Sequence, residues 1–580
     1  ISIEWGRWIV YLPPPLYVRE KTMRAKKILV GLAVFACFSA AFAVADWQLR
    51  QRKPVAEKAV VDWDAVEDDP NEKLQISWMS LPRYPMAREG TWIEEMMEER
   101  FNVEFEPLFI SHMAYLRRRP LIFAGGDVPD VFYDGDPVIV QRDAHHGFAL
   151  EVPYEVILKH APNYVRYLNQ HAPHAWLYAH WNGRNYGIPT YGTILGYPNP
   201  GVWRMDWLRK VGIDKAPETL DEMYAALWKF RHEDPDGNGV KDTYGWCPNA
   251  QAWFNVFGQV FGAHDILPYD WMLKDGKVVW GGALPESKEV LGLLRQWYAE
   301  GLIDPDFVIC QVKSSPIPYQ KFISGTNGFI VTGGSYETFD RRNKASMVSV
   351  ISELHPQAEL APGRFPAGPA GHRGTRIWSN AAHVFAFGAH LAQTPEKVIR
   401  MLKIFEALAT DEQLFLASRM GEEGTHWEFD DDLGLQLLPP YDERNAAQKH
   451  ALNLVLNAAS GFFSPCAIRP EIADKYLATA HLEYRSTYQK PEWGIADVFG
   501  KVDVVPSSIK YLRDLRNLQM TVYAEIVRGD RELDYFDTFV EQWMTLGGAE
   551  MLVEAQELLQ TRDEIFQRVG VSQMAIVGSK

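Results

Sequence analysis

Ala124-Gly125-Gly126-Asp127-Val128-Pro129-Asp130-Val131-Phe132-Tyr133-Asp134 is the stretch whose reading decides the fold. A glycine turn leads into a short apolar run that ends on an aromatic and an acidic group. That pattern predicts a short buried strand. Upstream, Leu74-Gln75-Ile76-Ser77-Trp78 alternates apolar with polar residues and predicts the first strand. An amphipathic helix follows over 91–101, then a second strand at Val103-Glu104-Phe105 and a further helical stretch. Strands that alternate with helices imply βαβ units, an α/β class and mostly parallel pairing. Ligands of such sheets gather at the carboxyl ends of strands, which makes Tyr133 and Asp134 candidate binding residues.

Downstream, Gly183-Arg184-Asn185-Tyr186-Gly187-Ile188-Pro189-Thr190-Tyr191-Gly192 concentrates glycine, proline and tyrosine ahead of Val202-Trp203-Arg204-Met205-Asp206-Trp207-Leu208. We read this as a first crossing between two lobes. Thr219 and Glu222 form a capping box at a helix start. Leu220, Met223, Tyr224, Leu227 and Trp228 recur at helical spacing, so that face is expected to be buried. A helix over Lys288 to Glu300 and a strand at Phe329-Ile330-Val331, turning at Gly333-Gly334, come next. The loop 361–374 precedes a return crossing near Trp378. Helices are then expected over 394–420, and Gly421 to Phe429 is a turn carrying Trp427. The last helical face presents Phe536, Phe539, Val540, Trp543 and Met544. No repeat of solenoid period is present.

The capped helix runs into Asp234-Pro235-Asp236-Gly237-Asn238-Gly239-Val240-Lys241-Asp242. Oxygen-bearing side chains stand at positions 1, 3, 5 and 9 of this loop, with glycine at 6, the spacing that wraps a hard cation such as Ca²⁺. Asp234, Asp236, Asn238 and Asp242 would give side-chain oxygens and Val240 a backbone carbonyl. Position 12 is Gly245 where an EF-hand has a bidentate glutamate. Such a Ca²⁺ would be structural. An ordinary turn rich in Asp, Asn and Gly is the bland alternative.

The 580 residues leave room for two or more domains. A net charge of −16 argues against nucleic acid, whose binding rests on neutralising phosphates. Four cysteines, Cys37, Cys247, Cys310 and Cys466, exclude a disulfide scaffold, and no pair has metal-site spacing. Met23 opens a basic segment followed by the uncharged run Ile28–Ala45, with Ala43-Val44-Ala45 before Asp46. This reads as an export signal, with residues 1–22 a misassigned start. Three fates stay open: cleavage, a degenerate lipoprotein box at Cys37, or an uncleaved membrane anchor. Residues 46–73 are charged and read as a linker that would tether a domain to a membrane.

No G-x-S-x-G, P-loop or H-E-x-x-H is present, so no catalytic signature stands out. His145-His146 reads as a solvated loop pair. The 20 Trp and 25 Tyr are the unusual part of the composition. Trp228, Trp297, Trp543 and Phe539 lie at helical spacing and are assigned to the core. Trp78, Tyr133, Tyr191, Trp253, Trp271, Tyr336 and Trp378, with Trp427, fall at strand ends or in loops. Any one of them can equally be packing. As a set they suggest a cleft of flat faces, suited to sugar rings, with carboxylates such as Asp134 binding hydroxyls.

Taken in order, these pieces resemble the extracellular solute-binding proteins, family 1, of ABC transporters, and in particular their long lipoprotein-like, alginate-oligosaccharide-binding branch. The resemblance rests on Gly125 to Val131, Tyr186-Gly187-Ile188-Pro189, Arg204 to Gly212, Pro217 to Glu222, the loop at Asp234, Gly421 to Phe429 and Phe536 to Gly548. It implies a two-lobe periplasmic-binding-protein-like fold (type II), with sheets flanked by helices and a hinged cleft. Residues 74–195 and about 376–450 would form lobe 1. Residues 196–375 and about 451–560 would form lobe 2, and 561–580 a tail. The implied function is extracytoplasmic capture of an oligosaccharide, uronate- or rhamnose-containing among the candidates, for delivery to permease subunits by a monomer without enzymatic activity. Similar proteins hold Ca²⁺ in this loop. A secreted calcium-stabilised carbohydrate-active enzyme and a surface glycan-binding module are the alternatives.

Overall fold

The structure, a computed structural model, describes residues 60–571 apart from 81–91, 192–196, 311–314, 332–333, 442–469 and positions 111, 135, 343, 345, 379 and 431. The export segment 23–45, Cys37 and the start of the linker lie outside the described residues. Residues 116–127, helical within His112–Gly125, belong to one compact unit; residues 60–115 and 128–571 belong to another, which carries everything below.

In chain order the principal elements are β1 (Leu74–Ser80), α1 (Trp92–Phe101), β2 (Val103–Phe109), β3 (Val131–Asp134), α2 (Pro137–His145), β4 (Ile188–Tyr191), β5 (Val202–Arg204), α3 (Leu220–His232), β6 (Tyr244–Trp246), α4 (Pro285–Ala299), β7 (Asn327–Ile330), β8 (Leu360–Pro362), β9 (Thr375–Ile377), β10 (Ala381–Phe387), α5 (Glu396–Thr410), β11 (Gly494–Ala496), α6 (Ser508–Arg528) and α7 (Ala549–Val569). The first sheet has the order β2-β1-β3-β10-β4 and the second β8-β5-β7-β6. The chain therefore builds most of one sheet, crosses to build the other, and returns with β10 to complete the first. This is the two-lobe α/β architecture expected.

The pairing is mixed rather than mostly parallel. β1 is parallel to β2 and β3, and β7 to β6. β10, entering from the second sheet, runs antiparallel to both β3 and β4, and β5 is antiparallel to β7 and β8. A strand that returns from another lobe is not bound by the right-handed crossover that makes βαβ neighbours parallel.

Local motifs explain several of the sequence marks. Asp130, just before β3, accepts from the Ser77 amide of β1 at 2.9 Å and contacts His390 at 2.7 Å and Lys397 at 3.0 Å. Burial would raise its pKa, but those partners overrule it and hold the carboxyl at about 2. Gly187 is required by close approach: a Cβ there would meet the Phe385 carbonyl and Val384 Cγ1, each at 2.6 Å. Arg204 grips Asp206 through Nε and Nη2 at 2.9 and 2.7 Å, with its guanidinium 4.8 Å from the Trp207 ring. The Glu222 amide donates to Thr219 Oγ1 at 3.1 Å, and the Glu222 carboxylate reaches back to the Glu218 amide at 2.7 Å. That is the capping box displaced by one residue.

Four further expectations are corrected. The buried face of α3 is Leu220, Met223, Ala226, Leu227 and Phe230, while Trp228 is 40% exposed and packs its ring on His232 at 4.5 Å. Trp297, Trp543 and Phe539 are buried as assigned. The charged run up to Lys73 is not a free tether. The Asp68 side chain is 1% exposed and binds Arg400 of α5 and Lys403, each at 2.7 Å. Nor is 561–569 a tail: α7 runs to Val569, whose carbonyl accepts from Asn169 Nδ2 at 2.6 Å, while Arg568 pairs with Glu155. His145 ends α2 and His146 caps it, so this pair is helical.

Candidate functional site

The loop after α3 is held by its own hydrogen bonds. Asp234, at a positive φ of 50°, accepts from the amides of Gly237, Asn238 and Gly239 at 3.0 to 3.2 Å. The Asn238 amide nitrogen donates to Asp236 at 2.9 Å and to Asp242 at 3.2 Å, while its Oδ1 accepts from the Val240 amide. The Asp236 carboxyl beside it, joined by those amides, holds Asp234 below the usual carboxylate range. Burial first, then Asp234, pushes Asp236 up. A cation would relieve the repulsion between these neighbouring carboxyls. The donor types fit a hard cation. Among the described residues, however, no group of three or more His, Cys, Asp and Glu side chains is gathered as a metal shell. Closing one would require Asn238 to turn its oxygen inward.

The absent twelfth ligand has a packing cause. Gly245 lies in β6 against α3, and a Cβ there would sit 2.8 Å from Leu227 Cβ and 2.9 Å from the Leu302 carbonyl. Thr243, the tenth residue, is 1% exposed and donates Oγ1 to the Phe230 carbonyl, facing the lobe instead of the loop. Gly245→Ala is expected to destabilise the fold by about 1–3 kcal/mol through overpacking. Urea unfolding reads this, and an unchanged midpoint would show that the α3–β6 contact yields freely.

A cavity of about 360 Å³ opens beside Trp253. Its wall includes Asp136, the N-cap of α2, together with Asp503, Leu512, Arg516 and Met520. This volume is at the lower end for ligand pockets. The Arg516 guanidinium lies 3.7 Å from the Trp253 ring centre. Arg376, from β9, lies 3.8 Å over Trp378 and 5.2 Å from Trp253, and the two tryptophans meet edge to face at 6.1 Å. Arg376 Nε donates to both oxygens of Asp270 at 2.9 and 2.8 Å. Behind them, Asp497 accepts from the amides of Trp271 and Phe499. Burial, and then Asp270, pushes its pKa well above the usual range. Burial and then the Asp503 carboxylate raise Asp136 to about 6.

Of the sequence-derived binding residues, the structure places Trp253 on the wall of this cavity, with Trp378 packed against it edge to face. Trp78 has no exposed surface: it packs on Phe105 at 6.1 Å and Phe385 at 5.2 Å in the core of the first sheet. Trp271 is equally buried, 5.0 Å from Trp280, which stacks on Trp543. Trp427 is core as well. Tyr133 is 3% exposed and packs on His383 at 4.8 Å. These four rings leave no face for a ligand. Asp134 and Tyr191 take their places in β3 and β4, but their side chains lie outside the described residues. Tyr336 stacks on His481 at 4.7 Å. Reading the sequence missed Asp136, Asp503, Arg376 and Arg516. The cap signal Asp136-Pro137 was legible and lies just beyond the strand end that drew attention to Tyr133 and Asp134. The arginines carry no local signal.

The sequence profile of the bacterial extracellular solute-binding proteins matches residues 85–376, half of the chain. The chain is 24% identical over 367 residues to the polygalacturonan/rhamnogalacturonan-binding protein YtcQ of Bacillus subtilis, covering 63% of this chain and 68% of that one. It is 25% identical over 484 residues to the lipoprotein LipO of the same organism, covering 80% and 88%. Among solved structures, the alginate-binding protein AlgQ2 without calcium ion superposes with a TM-score of 0.59 at 17% identity, over 85% of this chain and 99% of that one. That likeness is one of fold. The chain belongs to the bacterial extracellular solute-binding proteins.

Proposed function

We propose that this protein is the extracytoplasmic solute-binding component of an ABC transporter, capturing an oligosaccharide against Trp253 and Trp378 for delivery to a permease. The observation that carries the reading is the cavity itself: Trp253 on its wall, with the Arg516 guanidinium over the ring, beside the carboxyl groups of Asp136 and Asp503, and with Trp378 packed edge to face behind Trp253. Indole faces suit the C–H faces of sugar rings, and carboxylates and guanidinium groups suit hydroxyls. A ligand held between lobes favours the closed arrangement by its differential affinity for it. The ligands named for YtcQ and AlgQ2, polygalacturonan, rhamnogalacturonan and alginate, support a uronate-containing chain as the finer assignment.

The enzyme alternative finds little support. Asp136 and Asp503 are close enough to hydrogen-bond. Glycoside hydrolysis needs its two carboxyls roughly 5–9.5 Å apart to flank a scissile bond. Export through residues 23–45, tethering as in a lipoprotein, and action as a monomer complete the reading. Among the described residues no helix is long and apolar enough to cross a membrane. A structural Ca²⁺ would be held by Asp234, Asp236, Asn238, the Val240 carbonyl and Asp242, stiffening the end of α3 without touching the sugar.

A thermal-shift screen against uronate, rhamnose-containing and neutral oligosaccharides, with and without chelator, tests both parts. At least one sugar is expected to raise the melting temperature, and chelator to lower it with ligand absent. If no sugar shifts the transition, the ligand assignment fails; if chelator leaves stability unchanged, the calcium assignment fails.

A further inference from the structure

Arg516 is a cavity-wall residue whose bonding is conspicuously incomplete. It comes from α6, one helical turn after Leu512, and its guanidinium is held flat against Trp253. Its Nε and Nη2 are buried with no acceptor among the described residues. Leaving buried donors unmatched is costly, and most so on a charged group. The other guanidinium at these tryptophans differs sharply. Arg376 has its Nε committed to both oxygens of Asp270, which leaves a single nitrogen, Nη1, unmatched among the described residues. Arg513, also on the cavity wall, is exposed and has its Nε on Asp514 at 3.4 Å, whereas Arg516 carries a buried planar pair of donors with nothing described to receive them. Nε and Nη2 lie on one edge of the guanidinium, the edge that matches the two oxygens of a carboxylate.

We propose that Arg516 is a specificity-determining residue that reads a carboxylate on the bound oligosaccharide, so that the cavity beside Trp253 is an acidic-sugar subsite. The proposal rests on the oligosaccharide-capture reading above and adds the residue and the chemical group it selects. Stacking on Trp253 fixes the plane of the guanidinium before the ligand arrives, which lowers the ordering cost of a two-pronged contact. A neutral sugar, with hydroxyls only, leaves the pair imperfectly matched. A site built to hydrogen-bond one group rejects analogues that lack it far more strongly than an apolar pocket does. The flanking Asp503 and Asp136 would disfavour a second carboxylate in the same place, so one acidic group is selected at this position and not a general affinity for polyanions.

The test is calorimetric titration of the full chain with trigalacturonate and trimannuronate, each beside its carboxyl-reduced trisaccharide, for the wild type, Arg516→Gln and Arg516→Lys. An acidic trimer is expected to bind the wild type at least tenfold more tightly than its reduced form. Arg516→Gln is expected to lose about thirtyfold or more toward the acidic trimer, and less than threefold toward the neutral one. Arg516→Lys keeps the charge but loses the two-pronged edge, and is expected to fall between. Equal affinity of the wild type for acidic and reduced sugars, or an Arg516→Gln loss that is the same for both, overturns the carboxylate assignment alone. Failure of all four sugars to bind the folded wild type overturns the oligosaccharide reading beneath it.

Discussion

Replacing Arg400 with alanine is expected to cost about 3–5 kcal/mol of folding free energy, more than the Gly245→Ala overpacking. Arg400 lies in α5 with its side chain 3% exposed, and it is the anchor of residues 60–73. Nε donates to both Asp68 oxygens at 2.8 and 3.1 Å. Nη1 reaches the carbonyls of Phe101 and Asn102 at 2.7 and 3.0 Å, and Nη2 that of Asp69 at 2.6 Å. One guanidinium thereby ties residues 60–73, the turn between α1 and β2, and α5 together. Burial raises Asp68, yet hydrogen bonds and charge from Arg400 and Lys403 bring it below its usual range. Without Arg400 that carboxylate keeps, among the described residues, only Lys403, and the carbonyls of Asp69, Phe101 and Asn102 lose the guanidinium donor. Urea unfolding of the wild type, Arg400→Ala and the double variant with Asp68→Ala measures this. The double variant should recover part of the loss, since it removes the stranded charge. A single-variant loss under about 1 kcal/mol would mean that the segment is not integral to the fold.

Trp253→Ala is expected to weaken oligosaccharide binding by about thirtyfold to several hundredfold, the range of a buried aromatic hot spot. Trp253 is half-buried and touches Phe254, Trp378 and both guanidinium groups. Its removal takes away the flat wall and frees Arg516 to swing. Because the ring is at a cavity edge and not in the core, the melting temperature should fall by far less than affinity does. Calorimetry paired with thermal unfolding separates the two. Unchanged affinity in a well-folded variant would place the ligand elsewhere.

Much of the architecture was legible because it is written in local patterns. Alternation in Leu74–Trp78, the apolar run at Val131–Tyr133 and the Thr219 cap each lie where the structure has a strand or a helix start. Pairing direction was not legible, because β10 returns to the first sheet after more than 180 residues spent elsewhere. The fate of Trp228 turned on which residues flank the stripe: Ala226 and Phe230 rotate the buried face of α3 away from it. For the site, position in a loop picked out Trp253, which lies on the cavity wall, and Trp378, which packs against it, but also selected Trp78 and Trp271, which are core. A tryptophan at a strand end is exposed or buried according to what packs over it, and that is a tertiary fact. Asp503 and Arg516 reach the cavity from segments more than 240 residues beyond Trp253, so no spacing could announce them. The calcium loop is the converse case. Its ligand spacing is entirely local, whereas the glycine at its twelfth position is explained only by Leu227 and Leu302.

Oligosaccharide capture without turnover is tested most directly by titrating a panel of uronate and neutral oligosaccharides into the full chain and recovering the sugar afterwards. The expected result is saturable one-site heat from at least one acidic oligosaccharide, with the sugar recovered intact. No heat from any sugar with a folded protein, or recovery of cleaved fragments, would contradict the assignment of this chain as a transport-associated oligosaccharide binder.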